Sequence, residues 1–229
     1  MPDSLDIVTL ANSENISTYD REDIPLLQEK STKVLYRIDY ASQAAILSDA
    51  AKLGAFLDKA IATATELNLN GFAFTGMPLY SGTEAELAAR KEAAKLIVSR
   101  LSAAASGDKL LVLDGDPAFV ETSDIEKLDY IVLNTVDITN VTTLKLLVTG
   151  LLDNQSLPKE KLLLAAKINN QIIDETNVKQ DAVTVMTERV VSLGPLGGLA
   201  IFATGDDYYQ TKMHYAITRT AIQLMNPSN

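Results

Sequence analysis

The chain has 229 residues, enough for one large domain or two small ones, and its 47% apolar content supports a sizeable core and argues against global disorder. A net charge of −10 and a pI of about 4.6 give a surface that repels phosphate backbones and anionic lipid, so nucleic acid is not an expected partner. With no Cys and a single His, disulfides, thiolate metal sites and a Cys nucleophile are excluded.

The N-terminus, Met-Pro-Asp-Ser-Leu-Asp, has neither the basic n-region nor the apolar h-region of an export signal; either none exists or it has been removed. The first β-like run covers residues 6–11 and the second 33–39. Residues 48–67 then read as a helix: Ala51, Ala55, Leu57, Ile61 and Ala64 recur close to a 3.6 period, with Ser48 as N-cap and Asp49 in the first turn. A third strand, 71–77, precedes a long helix over 83–105. That helix is rich in strong helix formers, opens on a Thr83/Glu86 capping box and stops at Gly107. Strands at 109–114 and 130–136, a helix at 142–152, a strand at 161–168, a helix at 187–193 and a strand at 198–203 follow. Residues 208–225 form a last amphipathic helix, stopped by Asn226-Pro227. No stretch approaches 18 continuous apolar residues, so no membrane span is expected.

Most of these strands are almost continuously apolar, which suits parallel strands covered on both faces. Strands alternating with helices predict an α/β class with a parallel sheet. No linker, low-complexity tract or repeat divides the chain, so residues 1–229 read as one domain of TIM-type (β/α) barrel architecture. A full barrel of eight strands takes about 250 residues.

In such a barrel the site lies at the C-terminal ends of the strands. They deliver Asn12 and Glu14; Arg37, Asp39 and Tyr40; Thr75 and Met77; Asp114 and Asp116; Asn134, Thr135 and Asp137; Lys167, Asn169 and Asn170; and Thr204, Asp206 and Asp207 with Tyr208 and Tyr209. Asp39, Asp114, Asp137 and Asp206 are candidates for a cation site or an acid/base pair. N-caps and turn residues are, however, what Asp is expected to be after strands in any case. Lys167 could act as a Schiff-base amine if desolvated, or snorkel to the rim. The glycines of 194–198 read as a turn, since they precede a strand and an acidic loop follows it. His214 reads as a helix-face residue, and Tyr208 and Tyr209 as sugar-stacking or packing aromatics.

The segments Pro2–Val8, Thr32–Leu35 and Gly197–Ile201, with Asp207-Tyr208-Tyr209 and Met225-Asn226-Pro227, give the chain a resemblance to glycoside hydrolase family 18. This is the family of chitinases and endo-β-N-acetylglucosaminidases, and the nearest group is that of Bacteroides-type bacteria. The resemblance spans nearly the whole chain and implies a TIM-type barrel. The family signature Asp-Gly-x-Asp-x-Asp-x-Glu aligns with residues 70–77. Asn70 stands for the first Asp, Gly71 is kept, Ala73 and Thr75 replace the inner Asp pair, and Met77 replaces the general acid. The family's Ser-x-Gly-Gly appears as Arg37–Tyr40, its Tyr-Asp as Val136-Asp137, and its floor Trp as Phe202.

Cleavage in this family is substrate-assisted: the N-acetyl group attacks while one acid protonates the leaving oxygen. Losing a general acid removes typically about 10²–10⁴-fold in rate, and Met cannot donate a proton. The resemblance therefore implies a catalytically degenerate relative with an oligosaccharide as ligand and no cofactor or metal. An active glycosidase with relocated carboxylates, or a scaffold without ligand, are the alternatives. The family's first strand should precede Pro2, so seven strands are expected instead of eight, with oligomerisation if an open edge results. An exported location, periplasmic or at the cell surface, is expected if a leader has been removed.

Overall fold

The structure is a computed structural model and describes residues 2, 4–40, 44–46, 48–76, 81–154, 157–192, 196–209 and 213–227. Residues 4–131 form one compact unit; residues 132–229, with the first three, form a second.

In the first unit, strands β1 (Ile7–Leu10), β2 (Lys33–Ile38), β3 (Gly71–Thr75), β4 (Leu110–Asp114) and the start of β5 (Tyr130–Val132) lie in chain order. β1 to β4 pair in parallel, with Thr9 beside Leu35, Tyr36 beside Phe72 and Phe72 beside Leu111. Asp129 ties β5 to β4: its N–H donates to Leu111 O, and its Oδ2 accepts from Leu111 N–H at 2.7 Å. One face of this sheet carries Val34, Tyr36, Ile38, Phe72, Phe74, Leu111 and Leu113, all buried.

Helix α1 (Thr18–Glu29) was not expected from the sequence. It contains Pro25 and buries only Ile24, so its apolar pattern is weak. A reciprocal cap nevertheless starts it: Asp20 N–H donates to Ser17 Oγ at 3.1 Å and Ser17 N–H to Asp20 Oδ2 at 2.9 Å. Helix α2 (Ala50–Glu66) corrects the expected N-cap. Asp49, not Ser48, holds that position, because its Oδ1 accepts from both Ala51 and Lys52 amides at 3.1 Å. Helix α3 (Glu84–Ala104) starts on the Thr83/Glu86 box read from the sequence. A short α4 (Thr122–Ile125) precedes β5.

In the second unit the end of β5 leads to β6 (Leu162–Lys167) and then to β9 (Gly198–Phe202). Leu133 N–H donates to Leu163 O, and β6 pairs in parallel with β9 over five positions, from Leu163–Gly198 to Lys167–Phe202. Helix α5 (Val141–Asn154) follows β5, and α6 (Ala182–Ser192) follows β6; of the helix expected over 187–193, residues 187–192 are the end of α6 and residue 193 lies outside the described residues. Between β6 and α6 stands a small antiparallel hairpin, β7 (Gln171–Ile173) and β8 (Lys179–Asp181), too polar to read as strand. Asp174 organises its turn. The Val178 N–H, the Gln180 amide and the Thr176 hydroxyl and N–H all donate to its carboxylate and hold it down at a pKa of about 2.

The single helix expected over 208–225 is instead two, α7 (Thr204–Tyr208) and α8 (Ala216–Met225). Tyr215 takes a left-handed conformation at φ 57° between them. The fully buried Asp207 sets the break: its carboxylate accepts from the amides of Ile217 (3.1 Å) and Thr218 (2.8 Å) and from Thr218 Oγ1–H (2.7 Å). It caps α8 from outside, so the chain must leave the helix after Tyr208. Seven parallel strands, each feeding a helix, give the expected TIM-type (β/α) barrel class, short of one of its eight strands.

Candidate functional site

Strands β2, β3 and β4 share a register that brings side chains two residues apart onto one face. Arg37, Ala73 and Val112 form one row on the face opposite the buried aromatics. The next row, at the C-terminal ends, holds Asp39, Thr75 and Asp114. Thr75 is fixed at its centre: its Oγ1 accepts from Tyr40 N–H at 2.9 Å and donates to Asp39 Oδ1 at 3.3 Å. Arg37 Nη2 lies 3.8 Å from Asp114 Oδ2. Burial pushes the Asp114 carboxyl above the usual range; Arg37 pulls it back down and the charge of Asp39 pushes it further up. The row is thus a half-buried cluster of two carboxylates, a hydroxyl and a guanidinium. Its carboxylates flank β3 and do not stand on it.

Other residues of these strands have structural roles. Asn70 lies at the opposite end of β3, where its Oδ1 accepts from Val34 N–H (3.0 Å) and Gln28 Nε2–H (2.9 Å). Asp116 caps the turn of Pro117–Phe119 by accepting from Ala118 N–H at 2.9 Å. Ser13 is buried; its Oγ accepts from Arg37 N–H (2.7 Å) and donates to Leu10 O (3.0 Å), tying the chain after β1 to β2. Met77 lies outside the described residues.

In residues 132–229, Asp137 and Asp206 are both exposed. Thr135 is fully buried and bridges to β6, donating to Ala165 O and accepting from Ala165 N–H. Lys167 is exposed, so desolvation cannot activate it as a Schiff-base amine. Phe202 ends β9 beside Lys167.

Beyond β9 the chain builds an aromatic cluster that the sequence showed only as single residues. His214 is not on a helix face, as expected, but in the connection before α8. Its ring stacks on Tyr208 at 4.5 Å and 15°, and its Nδ1 meets Tyr208 O. Tyr209 meets Tyr208 at 5.1 Å and 83°, and Tyr215 tilts against it at 5.5 Å. A separate cleft of about 420 Å³ lies between the hairpin and α6, lined by Asp174, Gln180, Glu188 and Arg189. Its Asp174 is already committed to the hairpin turn. Among the described residues no group of three or more His, Asp or Glu is arranged to hold a metal ion, and no helix is long and apolar enough to cross a membrane.

No protein-family model matches the chain, and no curated protein matches it. Solved structures do. A family-18 chitinase from Pseudoalteromonas aurantia superposes with a TM-score of 0.69 at 15% identity, over 97% of this chain and 93% of that one. An endo-β-N-acetylglucosaminidase from Cordyceps militaris gives 0.67 at 14%, over 99% and 83%. YKL-39, solved in the presence of chitooligosaccharides, gives 0.71 at 13%, over 100% and 93%. At such identities the likeness speaks for the fold. The chain therefore has the β/α barrel fold of glycoside hydrolase family 18 chitinases and endo-β-N-acetylglucosaminidases, as its resemblance to that family implied.

Proposed function

We propose that this chain binds oligosaccharides containing N-acetylglucosamine and does not cleave them by the family-18 route. The row Asp39–Thr75–Asp114 carries this reading. The substrate-assisted mechanism needs an acid aimed at the leaving oxygen and a carboxylate that orients the acetamido group. The resemblance assigns both to the strand that is β3 here. Ala73 and Thr75 occupy that strand, and the Thr75 hydroxyl is held by Tyr40 N–H and Asp39. Carboxylates and a guanidinium at half-buried strand ends still suit sugar recognition. Asp39 and Asp114 can accept from hydroxyls, and Arg37 can donate to hydroxyl or acetamido oxygens. The likeness to YKL-39, solved with chitooligosaccharides, adds support.

Calorimetry of the full chain with chitotetraose and with an N-glycan core, alongside chromatography of the incubated sugars, tests both halves. Binding is expected, weakened by Asp39→Asn and by Asp114→Asn, and no shorter sugar should accumulate. Absence of heat at millimolar ligand would point instead to a scaffold without ligand. A second reading, a glycosidase with relocated carboxylates, is favoured by one observation: burial raises Asp114 in the manner of a general acid. Sugar release by the wild type that Asp114→Asn abolishes would establish it. Asp137, exposed beyond β5, and Asp206, exposed in α7, are proposed as separate ligand contacts within residues 132–229.

A further inference from the structure

We infer that Tyr209, at the C-terminal end of α7, is the stacking platform for a pyranose ring, and that Tyr208 is its buttress. The inference rests on the carbohydrate reading above and assigns a residue to it.

The two tyrosines differ in what remains open. Tyr208 is 41% exposed and Tyr209 is 81% exposed. His214 lies flat against the Tyr208 ring, and Tyr215 and Tyr209 crowd it at 5.5 and 5.1 Å. A sugar stacking on Tyr208 would have to displace this packing. Tyr209 contacts the group through Tyr208 and leaves most of its ring in water.

The base beneath it is fixed. Tyr215 N–H donates to Asp207 O at 3.0 Å, and the Asp207 carboxylate anchors the start of α8. Arg219 Nε–H donates to His214 O at 3.2 Å. Ala203 and Tyr215 both adopt left-handed backbone, at φ 56° and 57°, which a non-glycine residue keeps only where its surroundings hold it. An aromatic ring held on such a base and turned to water matches the apolar C–H face of a pyranose. A neighbouring group suits the polar rim of a sugar. Asp206, three residues before Tyr209 in α7, is exposed and can accept from hydroxyls.

The chain has no Trp to mask its eight tyrosines, so the part of a ligand-induced change in tyrosine emission that Tyr209→Ala removes is the part due to this ring. Titration of the full chain with chitotetraose, followed by tyrosine fluorescence and calorimetry, should show saturable binding. Tyr209→Ala should weaken it about tenfold, equivalent to ~1.4 kcal/mol, with an unchanged melting temperature because the side chain is exposed. Tyr209→Phe keeps the ring and should stay within about twofold of wild type, as expected for face stacking. Tyr208→Ala should lower the melting temperature as well as the affinity. Wild-type binding left intact in Tyr209→Ala overturns the inference and leaves the carbohydrate reading standing. Equal losses in Tyr209→Phe and Tyr209→Ala also overturn it, since the hydroxyl and not the ring would then be the contact. No binding by the wild type removes the carbohydrate reading itself.

Discussion

Gly71 is the one residue that the resemblance to the family-18 signature leaves unchanged, and its neighbours show what a glycine does there. It sits at φ 139°, and a Cβ there would stand 2.0 Å from Leu110 O. Gly71→Ala would force β3 from β4 as well as demand a strained backbone, and should cost about 3 kcal/mol or more, read as a shift in urea midpoint. Thr75 is the opposite case, a position that the resemblance aligns with an acid. Thr75→Asp would install that acid but place a third carboxylate between Asp39 and Asp114, with Arg37 beside Asp114. We expect a loss of about 1–3 kcal/mol at pH 8 that shrinks towards pH 4 as the cluster protonates. An equal loss at both pH values would mean that repulsion is not the cause. That the resemblance sets Asn70, Ala73 and Thr75 against acids was legible in the sequence. That Arg37, Asp39 and Asp114 converge on them was not, because it depends on the register of three strands far apart in the chain.

At the scale of elements, legibility followed apolar composition. All seven strands of the sheet were visible as apolar runs: β2, β3, β4 and β6 are largely buried and carry little polar interruption, and β1 and β9 are equally apolar although only partly covered. Helix α1 was hidden by Pro25 and by its single buried residue, and the β7–β8 hairpin by its polar composition. The break between α7 and α8 was hidden for a different reason. It depends on one buried carboxylate reaching ten and eleven residues along the chain to Ile217 and Thr218. Asp207→Ala would leave two helix amides and a buried hydroxyl without their acceptor. It should cost about 2–4 kcal/mol, with faster hydrogen exchange concentrated at the Ile217 and Thr218 amides. Asp207→Asn keeps one acceptor oxygen and should lose less. Protection at those two amides unchanged in Asp207→Ala would show that the helix start does not need the cap.

For the molecule as a whole, charge and burial set a pH profile displaced to the acid side. The net charge of −10 at neutral pH opposes compaction through self-repulsion. Asp114, raised by burial, adds to this: a group held above its unfolded value favours the fold at low pH, and that advantage is lost as pH rises above about 4 through the folded value. Asp20, Asp49 and Glu86 work in the other direction. Hydrogen bonds from Ser17, Lys52 and Thr83 hold them below their ordinary values, so their contribution is present above those values and lost as pH falls below about 4. The two tendencies cross in mildly acidic solution. Calorimetric melting should therefore peak in mildly acidic solution and decline as the pH rises through the Asp114 transition, reflecting these opposed linkages. Salt at about 0.2 M should recover part of the decline by screening the net charge, while leaving the partly buried Asp114 contribution in place. Asp114→Asn should flatten the slope on the alkaline side of the maximum without altering the acid limb. A maximum at pH 7–8 indifferent to salt would show that surface repulsion and the Asp114 cluster are too weak to shape the stability of this fold.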